Sequence, residues 1–193
     1  MTKLSKDSIL NLQNLLDKKT LQNIQEVLSG NKFEWYWNET TLGTEEYIKG
    51  DTPQFTHSFM TNRIVNSTRI ELVQPILNAV QDRIEQQFIP GRIKANLLYP
   101  IGKPHTHPAH HDEPQTDENM FYSFIFYPFN CDGDTILYNQ FYEDTQTDKK
   151  TIVLKNTPHE NSCIFFNSSR LHASSNPINY TRRIVLNFVV SMC

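Results

Sequence analysis

The 193-residue sequence has no apolar run that approaches the roughly 18 residues of a membrane-spanning helix. Its first residues, MTKLSKDSIL, contain no long apolar stretch and no small-residue cleavage site, which argues against a secretory signal. The three cysteines, Cys131, Cys163 and Cys193, form no CxxC pair, so neither a disulfide framework nor a zinc ribbon is expected. These absences predict a soluble cytoplasmic protein with free thiols.

An excess of charge of one sign is also lacking. The formal net charge is −3, the pI is about 6.1, and lysines and arginines are scattered along the chain. The sequence therefore gives no support for a nucleic-acid partner. It also contains no internal repeat, low-complexity tract or linker, so residues 1–193 are expected to form one domain.

The second half of the chain consists of short segments rich in β-branched and aromatic residues. Polar turns separate them, and no helical period lies between them. The segments are 92–99, 121–127, 135–138, 151–154, 162–167 and 182–190. Short strands without crossover helices indicate an antiparallel sandwich or barrel, here formed by residues 91–193.

The first half, residues 1–90, carries helical patterns that would support this β core. Residues 5–30 have apolar side chains at helical spacing and end at Gly30, which predicts one broken helix or two short ones. Residues 32–37 (KFEWYW) predict a strand that is buried on at least one side. A second helix is expected over 68–88, where Thr68 and Glu71 have capping-box spacing and Pro75 is tolerable only near the first turn.

The histidine-rich stretch PHTHPAHHDEP is the densest group of chemically active residues. Within it, His110 and Asp112 form a His-x-Asp triplet, and on an extended segment two such residues face the same way. His172 follows much later, at the end of a strand-turn segment over 164–172. Two imidazoles and one carboxylate on one face of a metal leave the opposite positions open, which suits iron(II) that binds a co-substrate and oxygen together. Structural zinc would instead have all its positions filled by protein ligands.

The ordered set of motifs resembles the iron(II)/2-oxoglutarate oxygenases, nearest the prolyl-hydroxylase-like branch and small hydroxylase-like proteins of bacteriophages. The motifs, spread over residues 92–190, are Arg92-Ile-Lys-Ala-Asn-Leu, His110-x-Asp112, Asp132-Gly-Asp-Thr135, 165–172 and Arg183-Ile-Val-Leu-Asn-Phe188. The resemblance implies a double-stranded β-helix, or jelly roll, with helices packed on one side. That fold agrees with the independent reading of the strands.

The resemblance also implies roles for individual residues. His110, Asp112 and His172 would hold Fe(2+), and Arg183 would pair with the distal carboxylate of the co-substrate 2-oxoglutarate. Tyr127 would place its hydroxyl on that same carboxylate, and Tyr99 would line the pocket.

The activity that the resemblance implies is hydroxylation of a substrate, coupled to oxidative decarboxylation of 2-oxoglutarate to succinate and CO2, with ascorbate as the candidate accessory reductant. The substrate, whether a prolyl or other peptide side chain or a small molecule, is not determined by the sequence. If the protein is viral, it would act in the cytoplasm of the host.

Two other functions stay open at this point. A cupin-like metalloprotein would use His105, His107 and Glu113, although the spacing to Glu113 is too long for that pattern. A non-catalytic jelly-roll binding protein would carry the metal residues without using them. In the oxygenase interpretation, His105, His107 and His111 belong to a surface loop, and the loops 103–109 and 113–119 flank the entrance, are mobile without ligand and select the substrate.

Adjacent arginines pose a final question, because Arg182 and Arg183 must point to opposite faces of the last strand. If Arg183 faces inward, Asn187 shares its face, and Ile184, Leu186 and Phe188 form an apolar row on the other face. This arrangement gives a dicarboxylate a more polar pocket than the alternative does. The sequence therefore favours Arg183.

Overall fold

Strands are the main element of the computed structural model, which describes residues 4–42, 50–115, 120–144 and 150–193. In chain order the strands are β1 (Ile9–Gln13), β2 (Tyr36–Asn38), β3 (Gln54–Thr61), β4 (Ile64–Val65), β5 (Phe88–Leu98), β6 (Phe121–Tyr127), β7 (Thr135–Phe141), β8 (Ile152–Asn156), β9 (Ser162–Asn167), β10 (Arg170–Ser174) and β11 (Arg183–Met192). The α-helices are α1 (Lys18–Ser29) and α2 (Gln74–Ile84). Neither of these helices is long and apolar enough to cross a bilayer.

The strands form two antiparallel sheets. The larger sheet has the order β1-β9-β6-β11-β5-β3-β2, with β4 paired to β3, and the smaller has the order β10-β7-β8. An extended segment lies along the other edge of β10, where Thr106 bridges to Ser175 and His110 to His172. This segment acts as an irregular fourth strand of the smaller sheet. The two facing sheets make the predicted jelly roll.

Alternation along the strands divides the apolar residues between two cores. The outer core lies between the helices and the larger sheet, and its members include Ile24, Ile76, Leu186 and Phe188. The inner core lies between the two sheets and includes Tyr127, Leu137, Phe166 and Val185. The helices therefore pack on one side of the jelly roll, as predicted.

The two helices begin and end for local reasons. At the start of α1, the carboxylate of Asp17 accepts hydrogen bonds from the backbone N–H groups of Lys19 and Thr20, and Gly30 ends the helix. Helix α2 begins at Gln74, later than predicted, after a short 3-10 turn over Ile70–Leu72. No side chain caps either the turn or the helix, so the expected capping box does not form. Pro75 lies in the first turn, as its missing N–H requires.

The helical prediction over residues 5–30 is confirmed by α1 but is wrong for its first part, where Ile9–Gln13 form β1. Leu10 and Leu12 pack against the outer core while Ile9 packs against the inner core, which is the two-residue period of a strand. Pairing with β9 along its whole length decides the conformation. The leucine spacing that suggested a helix also fits this strand.

The strands predicted after residue 90 are all present, and several are longer than predicted. Strand β3 was not predicted, because its polar residues obscure the pattern, yet Gln54 and Thr56 are buried. In the segment 32–37, only Tyr36 and Trp37 lie in a strand, the edge strand β2. The expected buried face holds for Phe33, which is buried in the outer core, and for Trp35, which packs against it, but not for Trp37, which is 50% exposed.

Candidate metal centre and co-substrate cavity

His110, Asp112 and His172 meet at the edge of the smaller sheet, and their potential ligand atoms all lie within 4.8 Å of one another. The backbone N–H of His110 donates to the carbonyl oxygen of His172 at 2.9 Å, and the reverse bond is 2.7 Å. This bridge fixes the two imidazoles side by side, with ring centroids 4.4 Å apart. Since Asp112 is two residues beyond His110 on the same extended segment, its carboxylate points to the same place.

Both imidazoles are oriented through their Nδ1 atoms. Nδ1 of His172 lies 3.1 Å from the carbonyl oxygen of Arg170, and Nδ1 of His110 lies 3.4 Å from that of Pro108. A carbonyl oxygen accepts only from a protonated Nδ1, and in a neutral imidazole this tautomer leaves the lone pair on Nε2 for a metal. Burial, and then the neighbouring His172, lower the pKa of His110 to about 3, so its ring is neutral at physiological pH.

Asp112 is kept ionised by the groups around it. Burial alone would raise its pKa, but the Arg92 guanidinium, followed by His172 and His110, holds the pKa well below the usual range of a carboxyl group. Arg92 Nη2 forms an ion pair with Oδ1, and the Ser123 hydroxyl donates to Oδ2 at 2.6 Å. Asn187 Nδ2 lies 3.4 Å from both oxygens.

These donors fit a divalent transition metal. Two imidazoles and one ionised carboxylate form the set typical of non-haem iron(II) sites with open positions. Nε2 of His172 lies only 3.7 Å from Asp112 Oδ2, close enough for both to contact one ion. Among the described residues this is the only group of three or more such side chains with ligand geometry.

A cavity inside the jelly roll connects this triad to Arg183. His110, His172 and Arg183 all line it, together with Asn187 of the same strand as Arg183. Arg183 is 2% exposed, and it donates from Nε to the carbonyl oxygen of Gly133 at 2.7 Å. A Cβ at Gly133 would lie 2.7 Å from Arg183 Cδ and 2.6 Å from the Ser175 carbonyl oxygen, so only glycine permits this close approach.

Tyr127 shares a partner with Arg183. The Tyr127 hydroxyl donates to Thr135 Oγ1 at 2.8 Å, and Arg183 Nη2 donates to the same oxygen at 2.8 Å. Burial raises the pKa of Tyr127 to about 12, so it keeps its proton and remains a donor. Arg183 and Thr135 line the end of the cavity away from the histidines, and Tyr127 lies behind Thr135, to which its hydroxyl donates.

The side of β11 that faces inward is the one that the sequence favours. Arg183 is buried and Arg182 is exposed. Val185 packs in the inner core, whereas Ile184, Leu186 and Phe188 all belong to the outer core beneath the helices. The predicted strand register is therefore confirmed, while the binding role of Arg183 stays a prediction.

Known proteins resemble this chain in structure but not in sequence. No protein-family model matches the sequence, and no curated protein resembles it in sequence. Solved structures match over nearly the whole chain. A prolyl hydroxylase from Trichoplax adhaerens, in complex with a hypoxia inducible factor peptide, is 14% identical with a TM-score of 0.64, over 96% of this chain and 84% of that one. The epimerase SnoN of nogalamycin biosynthesis, solved with Fe3+, alpha ketoglutarate and nogalamycin RO, is 12% identical with a TM-score of 0.60, over 97% and 79%.

A third structure is the viral collagen prolyl hydroxylase of Paramecium Bursaria Chlorella virus-1 in its 2OG complex. It is 12% identical, with a TM-score of 0.57, over 96% of each chain. The chain has the fold of the 2-oxoglutarate oxygenases. At these identities the likeness concerns the fold, and the site is argued from its own residues.

Tyr99 does not reach the cavity of this oxygenase fold. It follows the last residue of β5, and its ring lies 6.3 Å from that of Phe55. Alternation places the preceding residue, Leu98, at the cavity instead. Asn96, Gln54 and Thr41 also line the cavity and were not predicted, although the inner-face spacing from Leu98 identifies Asn96.

The expectation that His107 belongs to a surface loop is wrong. It is 3% exposed, and its Nδ1 lies 2.8 Å from Asp51 Oδ1. His105 packs edge-on against it, at 4.9 Å between ring centroids. Since His107 is already paired with Asp51, these histidines and Glu113 do not form the ligand set of a cupin in the part of the chain that is described.

His111 lies between the two metal-ligand candidates in sequence but packs against Tyr142, with ring centroids 4.5 Å apart. It is half-buried, rather than in an exposed loop. Of the two candidate entrance loops, residues 116–119 of 113–119 lie outside the described residues.

Proposed function

We propose that the protein is an iron(II)- and 2-oxoglutarate-dependent dioxygenase that hydroxylates its substrate and converts 2-oxoglutarate to succinate and CO2. The observation that carries this proposal is the single cavity with two ends. One end presents the imidazoles of His110 and His172, beside which the Asp112 carboxylate lies, and the other presents the buried Arg183 guanidinium. A five-carbon dicarboxylate with a keto group is the kind of ligand that bridges a metal and a cation in this way.

In this proposal His110, Asp112 and His172 hold the iron, which, with 2-oxoglutarate and dioxygen, supplies the oxidising power for attack on a C–H bond. Arg183 and Tyr127 bind the distal carboxylate by charge-assisted hydrogen bonds. The apolar residues Val185 and Ile125 line the cavity between the two ends and exclude water from it.

Peptide side chains and small molecules are both candidate substrates. The Trichoplax neighbour was solved with a peptide and SnoN with nogalamycin RO. Because one fold serves both classes, the fold does not choose between them.

A second candidate function is a non-catalytic binding protein. The observation that favours it is the ion pair between Arg92 and Asp112, since a cation on the ligand carboxylate opposes a second, divalent cation. In the oxygenase, Arg92 holds the carboxylate in place and shares it with the metal. The two functions differ in whether the metal binds at all.

Anaerobic titration with iron(II) and 2-oxoglutarate tests the proposal. We expect a visible charge-transfer band, which requires both to be bound together at one centre. Asp112→Ala and His172→Ala should abolish the band while circular dichroism shows an intact fold. His159→Ala is the matched control, because His159 is exposed and lines neither the triad nor the cavity.

Two results would contradict the oxygenase. One is an unmutated protein that never shows the band at saturating iron(II). The other is tight binding of zinc with no response to 2-oxoglutarate, which would indicate a closed metal site. Succinate release in the presence of iron, 2-oxoglutarate and ascorbate, screened against peptide, amino-acid and nucleotide pools, then identifies the substrate.

A further inference from the structure

A second polar pocket adjoins the triad and shares Thr41, Asn96, His110 and Asn187 with the cavity that reaches Arg183. Its lining includes His110 and Asp112 together with Arg92, Lys94 and Asn187. Lys94 is paired with Asn187 across β5 and β11, and with Ser58 across β5 and β3, so it lies in the middle of the larger sheet. Arg92, Lys94 and Asn96 alternate along β5 and therefore share its inner face.

Lys94 is a cation without a counter-ion. Arg92 is already paired with Asp112, whereas the ammonium group of Lys94 has no hydrogen bond or ion pair among the described residues. Burial, and then repulsion from Arg92, lower the pKa of Lys94 to about 8, and Asp112 only partly opposes this. Lys94 is half-buried, and partial burial of an ammonium group that has no ion pair costs free energy that an anionic ligand would recover.

Other polar atoms at this pocket also lack partners. Among the described residues, Arg92 Nε, Asn96 Oδ1 and Asn187 Oδ1 are buried without a hydrogen bond. Buried polar groups are normally satisfied, and an anionic oxygen would satisfy the Arg92 Nε donor, whereas the two amide oxygens would need donors elsewhere on the same ligand. Arg92 also lines a neighbouring surface hollow together with Arg63 and Phe121.

We propose that Lys94, with Arg92 beside it, binds a carboxylate or phosphate group of the primary substrate next to the metal ligands. This inference rests on the proposed oxygenase function and narrows its substrate class to anions. The co-substrate dicarboxylate is expected at Arg183, at the far end of the other cavity, so Lys94 is free for a second anion. An anion at Lys94 would hold the rest of the substrate against the open side of the metal centre.

Binding is tested first without turnover. The protein is kept under argon with iron(II) and saturating 2-oxoglutarate, and its thermal midpoint is followed on adding acetate or inorganic phosphate, since ligands of the folded state raise the midpoint. We expect at least one of the two anions to raise it. In Lys94→Met the apparent affinity should fall roughly 10-fold or more, as expected for one lost charge-assisted hydrogen bond. Lys94→Arg should restore most of it.

Lys103→Met is the matched control, because Lys103 is exposed and should leave the anion response unchanged. Lys94→Met is expected to fold at least as stably as the unmutated protein, since it removes a desolvated charge and keeps the side-chain length. Equal anion responses in Lys94→Met and Lys103→Met would overturn the proposal.

Substrate pools then distinguish the two anions. Amino acids and acidic peptides are compared with their amidated forms, and nucleoside monophosphates with nucleosides, by succinate release. We expect one anionic pool to exceed its neutral counterpart by roughly 10-fold or more, and Lys94→Met to remove that difference. Greater release with a neutral counterpart would overturn the proposal.

The charge-transfer band separates failure of this inference from failure of the oxygenase. If the band forms but the rise in thermal midpoint with anions does not depend on Lys94, the proposed anion site is wrong and the proposed oxygenase function is retained. If no band forms and a Lys94-dependent anion response persists without iron, the anion site stands and the oxygenase is wrong. Loss of the band in Lys94→Met would indicate that Lys94 binds 2-oxoglutarate, and it would overturn the proposed anion site for the primary substrate.

Discussion

Arg183 shows how much one side chain depends on its immediate neighbours. Its guanidinium is held by the Gly133 carbonyl oxygen and the Thr135 hydroxyl, and Gly133 has no side chain to block it. A buried cation with two fixed hydrogen bonds is already oriented before a ligand arrives. Little conformational entropy is then lost when a carboxylate binds.

The first prediction at this scale compares the two adjacent arginines. Arg183→Ala should weaken 2-oxoglutarate binding by about 1.5–3 kcal/mol, the contribution of a hydrogen bond to a charged group. Arg182→Ala should change it little, because Arg182 is exposed. Titration of the iron(II) charge-transfer band measures both. Arg183→Lys, which keeps the charge without the planar fork, should give an intermediate loss, and a large loss for Arg182→Ala alone would contradict the assignment.

A second prediction concerns the buried carboxylate Asp51. Burial opposes its ionisation, but hydrogen bonds from His107, from the Thr41 hydroxyl and from backbone N–H groups lower its pKa to about 2. A carboxyl group with a depressed pKa in the folded state stabilises the fold above its unfolded pKa, and that stability is lost as pH falls toward 2. The amount is about 2 kcal/mol for a shift of this size.

Asp51→Asn should therefore be less stable than the unmutated protein at pH 7, and the difference should shrink as pH falls from about 5 toward 2. Urea denaturation at several pH values measures it. The exposed Asp82→Asn serves as control. A difference that stays constant with pH would mean that the Asp51 charge does not contribute.

At the scale of elements, the site depends on how one irregular segment is attached to a regular strand. The segment ending at His110 pairs with β10, and this pairing brings together ligands that are far apart in sequence. His107 is anchored to the same edge, where its backbone N–H donates to the Ser174 carbonyl oxygen at 2.9 Å. Its side chain also holds Asp51, so the segment is fixed from two directions.

At the scale of the whole molecule, the two faces of the larger sheet have different roles. The outer face of the larger sheet packs on the helices, and its inner face lines the two pockets. Substitutions in the outer core should therefore affect stability more than ligand binding.

Ile76→Ala tests this separation. Ile76 is fully buried in the outer core, so its truncation should cost about 2–5 kcal/mol of unfolding free energy. The iron(II) and 2-oxoglutarate band should remain at temperatures where the fold persists. Asn78→Ala, at an exposed position of the same helix, should change stability by about 0.5 kcal/mol or less. Loss of the band in a folded Ile76→Ala protein would show that the helices shape the site itself.

The sequence by itself determined the features that depend on local periodicity. Alternation along the last strand identified Arg183 and Asn187 as inward residues, and the His-x-Asp spacing placed His110 and Asp112 on one side of an extended segment. The β-rich second half likewise follows from side-chain type and turn positions. These inferences hold because neighbouring residues in a strand have only two directions to face.

Only the tertiary structure decided which distant residues meet. Two ion pairs join segments that are distant in sequence, Arg92 with Asp112 and His107 with Asp51. No local sequence pattern predicts either pair. Strand β1 exists because β9 offers an edge to pair with, and Tyr99 misses the cavity because β5 places Leu98 there. Hydrogen-bonded register and close packing act between segments, and no local pattern records them.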